Sequence, residues 1–159
     1  MSVSNQTSPL PERCDWQCCW SALPAAEVES LAAVLTRNAE VMDLTLPQTG
    51  LALLQLQDSA LNDPYYLGEI PMSKAQVRVR YPDGLAAEGA ACLMDDRSAL
   101  VHALAVLDAI LSGELPGHDA AAELLLRGQQ ALKKVRGSRK QMLTQTRVDF
   151  TLLGAEDDD

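Results

Sequence analysis

Ala75-Gln76-Val77-Arg78-Val79-Arg80-Tyr81 is the stretch from which the fold is read. Val77, Val79 and Tyr81 fall on one side, and Gln76, Arg78 and Arg80 on the other. Strict period-two alternation predicts a strand with one buried side and one wet or partner-facing side. Pro82-Asp83-Gly84 then turns the chain back into a second strand over 86–94. Gly89 and the alanines around it leave room for another element to pack closely. Upstream, Asn62-Asp63-Pro64 is a turn leading into a strand over 65–70. Pro47-Gln48-Thr49-Gly50 reads as a hairpin connection between strands at 41–46 and 51–57.

Helices flank this run of strands. Residues 13–22 place Trp16 and Trp20 one turn apart on one face. Pro24 fits the first turn of a second helix, in which Val28, Leu31, Ala32 and Leu35 recur at the helical period before the pattern fades near Asn38. Asp95 or Asp96 is positioned to cap a helix over 98–111, apolar nearly all round and ended by Gly113. Asp119 caps a longer helix through Leu124, Leu125, Leu132 and Val135, weakened by Gly128 and Gly137. A last strand is expected over 147–153. Helices, antiparallel strands, two helices and one strand make an α+β domain, mainly antiparallel sheet with the helices packed against it. That single domain is expected over 13–154, with a disordered leader over 1–12 and an acidic tail over 155–159.

At 159 residues and 47% apolar, the chain suits one globular domain, but aromatics are only 4%, so Leu, Val, Ala and Met must fill the core. The net charge of −9 is uneven. Positions 127–147 hold seven basic residues and no acidic one, against six basic and 22 acidic residues elsewhere. A mostly acidic body argues against binding a phosphate backbone, and the basic segment fits one defined acidic partner. Residues 1–12 lack the apolar core of a secretory signal, and the most apolar run, 99–111, is too short to span a bilayer. The cytoplasm follows by default. Cys14, Cys18, Cys19 and Cys92 lack zinc-site spacing and read as reduced structural thiols.

Phosphate-loop, dinucleotide, zinc-protease and nucleophile-elbow motifs do not occur in the sequence. Of the two histidines, His102 reads as a hydrogen-bonded core residue and His118 as a loop residue. Glu69 and Asp149 are carboxylates inside strand-like apolar runs, where a charge is costly unless it is paired or exposed. The favoured reading pairs them internally with Arg147, Arg78 or Arg80. The alternative makes one of them a ligand for a partner's arginine or a substrate. Lys133, Arg136 and Lys140 form one basic helix stripe, read first as a solvated face and second as contact with an acidic protein. No catalytic, metal or cofactor-binding residue is assigned.

These residues also carry a family likeness. Thr49-Gly50-Leu51, Tyr66-Leu67-Gly68-Glu69, Val77-x-Val79, Gly89, Asp108-Ala109 and Thr146-Arg147-Val148-Asp149-Phe150 occur in that order. With Arg13-x-x-Trp16 at the start, the chain resembles the PhnG family, a subunit of the bacterial carbon–phosphorus lyase system, over about 13–154. The resemblance implies an accessory subunit of a core complex with subunits H, I and J and ATPase-like components K and L. With H, I and L it implies transfer of ribose 5-triphosphate from MgATP to a phosphonate, with release of adenine. MgATP, the iron–sulfur cluster and S-adenosylmethionine are then expected on partner subunits only, with no nucleic acid and no membrane. Rival readings are a stand-alone acid/base enzyme using Glu69 or Asp149, and a binding module using the basic 127–147 segment.

Overall fold

Residues 10–145 are described by a computed structural model, in which Val77 and Val79 are fully buried while Gln76 and Arg80 face outward. The alternation at 75–81 is the inner end of a much longer strand. Two helices, α1 (Arg13–Ser21) and α2 (Ala25–Leu35), precede β1 (Glu40–Gln57), β2 (Pro64–Arg80) and β3 (Ala86–Leu93). Helices α3 (Ser98–Ser112) and α4 (His118–Gln145) follow. The strands form one antiparallel sheet in the order β1-β2-β3, so the described residues have an α+β architecture.

Helix α3 is apolar nearly all round because it is covered on both sides. One side lies on β2 and β3, and α2 packs on the other. Leu104, Leu107 and Ile110 are fully buried there. The approach to β3 depends on Gly89, where any Cβ would overlap the backbone of Ala105 and Ala109. Helix α1 packs on α4, with Trp16 and Trp20 edge to face at 6.0 Å. Trp20 Nε1 donates to the Ala121 carbonyl across that contact (3.4 Å). At the end of β2, the Tyr81 hydroxyl lies 2.8 Å from the Leu35 carbonyl and 2.9 Å from that of Pro116. It ties α2 and the α3–α4 loop to the sheet, and burial pushes its phenol up from the ordinary value.

Several local expectations are corrected. Pro47-Gln48-Thr49-Gly50 is not a turn: β1 runs through it, and the register slips between Thr45 and Gln48. β1 is an edge strand, and a proline is tolerated at a bulge because no ladder bond requires its missing N–H. The chain reverses instead at 58–63, where Asp58 accepts from Asn62 N–H (2.9 Å) and from Leu61 N–H through its carboxylate (2.8 Å). The strands expected at 65–70 and 75–81 are one strand. Pro24 stands at the N-cap of α2, just before the first turn. Neither Asp95 nor Asp96 caps α3; Arg97 holds that position, and Asp95 accepts its N–H and guanidinium instead. His118 begins α4 rather than lying in a loop. The strand expected at 147–153 lies outside the described residues, as do the acidic tail and positions 1–9 of the leader. No single described helix is long and apolar enough to cross a membrane.

Candidate functional site

β1 and β2 outrun the rest of the sheet. β3 pairs with β2 only from Ser73 to Arg80, whereas β1 follows β2 from Glu40 opposite Arg80 out to Gln57 opposite Pro64. Beyond Ser73 the two strands form a two-stranded ribbon, the arm, which β3 does not flank. Its register sets its faces, because directly opposed residues share one. Leu51 opposes Pro71, Leu53 opposes Glu69 and Gln55 opposes Tyr66. Counted along β2, Glu69 and Pro71 are on the same side as Ser73, Ala75, Val77 and Val79, which the core buries. On the arm that side is bare: Leu51, Leu53 and Tyr66 are 68%, 64% and 64% exposed. The register skips Leu67, next to Gly68 at φ 143°, a conformation that side chains other than hydrogen disfavour.

The two edges of the sheet are treated differently. On the outer edge of β3, Ala90 N–H donates to Asp108 Oδ2 and Cys92 N–H to Gln17 Oε1, each at 3.0 Å. Gln17 Nε2 returns a bond to the Ala90 carbonyl at 3.4 Å. Side chains of α1 and α3 thus occupy that edge as a neighbouring strand would, a common way to prevent strand addition. Asp108 is held in turn by Arg13, whose Nε and Nη2 donate to its two oxygens at 3.0 and 2.7 Å. That bond raises the Arg13 pKa above its ordinary value. Among the described residues, no comparable bonds cover the outer edge of β1 along the arm.

The candidate site residues separate into groups. Arg78 pairs with Glu88, its direct opposite on β3, and Arg80 lies 3.9 Å from Glu40, its direct opposite on β1. Glu69 therefore pairs with neither arginine. It is exposed on the arm, with no ion pair to any described residue. Arg147 and Asp149 lie outside the described residues. Lys133, Arg136 and Lys140 are exposed on the second half of α4, beyond the part that Gly128 brings against Cys19 of α1. They form no ion pair with a described residue.

One constellation had no local signal. His102 is not a core residue: it is half-buried, with Nε2 3.0 Å from Asp43 Oδ1 on β1. The pair stands at a cleft of about 570 Å³ between α2, α3 and β1, lined also by Glu29, Thr36, Val41 and Val106. The two residues are 59 positions apart, so only the packing of α3 against β1 reveals them. The geometry orients an imidazole, while the nearby Thr36 hydroxyl is committed to the Ala32 carbonyl at 2.8 Å. No group of three or more His, Cys, Asp or Glu among the described residues is arranged to hold a metal ion.

The family model described as phosphonate metabolism protein PhnG matches residues 11–154. The chain belongs to the PhnG family. Membership places it in phosphonate metabolism and gives it protein partners. No curated protein matches the sequence. The PhnG match includes the arm, the Asp108–Arg13 pair and the Asp43–His102 cleft, so all three belong to the family's region of the chain.

Proposed function

We propose that this PhnG chain is an accessory subunit of the carbon–phosphorus lyase core complex, acting in the cytoplasm. Its partners are subunits H, I and J, with the ATPase-like components K and L. With H, I and L it is needed to transfer ribose 5-triphosphate from MgATP to a phosphonate, releasing adenine. Displacing a base at an anomeric carbon requires protonation of the leaving group and stabilisation of positive charge in a dry pocket. Those reacting groups, together with MgATP, the iron–sulfur cluster and S-adenosylmethionine, are assigned to partner subunits.

One observation carries this reading: a family match over nearly the whole chain coincides with a long apolar ribbon left uncovered. Large exposed apolar surfaces mark sites of protein association. Glu69 as a stand-alone acid or base has little to support it, since an exposed strand face excludes no water. The test is reconstitution. Subunits H, I and L with MgATP and methylphosphonate should release adenine only when this chain is added, and an equal rate without it would overturn the reading.

A further inference from the structure

We infer that the arm, rather than the basic stripe of α4, is the part of this chain that docks, and that it enters an apolar groove of another subunit lined by a basic residue that meets Glu69. The inference rests on the subunit reading above and names the surface involved.

Three observations converge on the arm. First, a two-stranded ribbon is marginal alone and gains order when one face is covered. Second, its exposed apolar surface is large. Leu51, Leu53, Leu61, Tyr66 and Leu67 are each more than 60% exposed. Side chains of that size and exposure present roughly 600 Å², at the top of the range for the largest apolar patch of a monomer. Third, its charge has one sign. Positions 50–72 contain Asp58, Asp63 and Glu69 and no lysine, arginine or histidine.

Charge decides the occupant. Two arms from two copies would bring like charges together and leave each Glu69 unanswered on an apolar face. Burying a carboxylate without a partner is strongly unfavourable, so a complementary groove must supply a cation there. An arginine suits the position, because it pairs with a carboxylate through two parallel bonds. The β3 edge is closed by Gln17 and Asp108, whereas along the arm no bond from another described residue covers the β1 edge. The exposed surface and that edge therefore favour one place of attachment.

The test uses the full chain co-expressed with tagged subunits H, I and J. Wild type should co-elute with them. The Leu51→Glu/Leu53→Glu double variant and Glu69→Arg should each reduce the recovered chain at least tenfold, and Glu69→Gln by a smaller factor. Each variant should melt as wild type does, because none of these side chains is in the core. Glu69→Arg keeps the test decisive if the double variant folds poorly. Variants recovered at wild-type levels overturn the inference and leave the subunit reading standing, whereas wild type absent from the complex overturns both. A dimer of the isolated chain in light scattering, converted to monomer by Leu53→Glu, assigns the arm to a second copy and also overturns the inference.

Discussion

Asp108 is buried inside α3 with its side chain 7% exposed, while its partner Arg13 is 56% exposed. That asymmetry predicts unequal losses. Arg13→Met leaves a buried carboxylate with only the Ala90 N–H and should cost about 3 kcal/mol in urea unfolding. Asp108→Asn keeps an acceptor for that N–H and frees a guanidinium that water can reach, so about 1–2 kcal/mol is expected. The double variant should cost less than the two singles together; strict additivity would show that the groups do not interact. Cys19 gives a pH prediction. Burial, then the Asp15 carboxylate, raises its thiol pKa above the ordinary value. Folding therefore favours the protonated thiol, and this contribution is complete below the unfolded value of about 8.5 and lost as pH rises toward the folded one. Denaturation at pH 7.5 and 9.5 should show a decline that Cys19→Ala reduces. Iodoacetamide should label exposed Cys14, Cys18 and Cys92 well before Cys19, as read by mass spectrometry. Asp108 was visible in the sequence as an interruption of an apolar run. Its partner, 95 positions away, was not.

At the scale of elements, two glycines of α4 look alike in sequence and differ in surroundings. A Cβ at Gly128 would overlap the Cys19 carbonyl of α1, whereas one at Gly137 meets nothing within 4 Å. Gly128→Ala should therefore cost about 1–3 kcal/mol through overpacking. Gly137→Ala should stabilise by up to about 1 kcal/mol, because only helix propensity changes. Thermal melts of both variants check the signs, and equal shifts would refute the packing account. Propensity alone reads both positions as weak points. The same limit explains Pro47-Gln48-Thr49-Gly50, whose turn-forming residues are overridden by the ladder that β1 makes with β2 on both sides of them. Turn preference is local, and the register of β1 on β2 sums bonds along both strands.

At the scale of the whole molecule, the body and the arm are separable. Every fully buried large side chain lies outside the ribbon. Replacing 51–71 by Asn-Gly, which joins the directly opposed Gly50 and Met72 through a two-residue hairpin loop, should leave a cooperative melt within a few degrees of wild type. A collapse of that melt would show that the arm supports the core. The amino-acid sequence by itself determined the α+β class, the strand pair at 75–94, the helix ended by Gly113 and the uneven charge. These follow from periodicity, turn chemistry and composition, all carried by neighbouring residues. Only the tertiary structure decided that two strands extend past the sheet, that Glu69 lies bare on them, and that His102 meets Asp43. The physical reason is range: those outcomes depend on which distant backbone or side chain covers a surface, and burial is a property of the assembled fold.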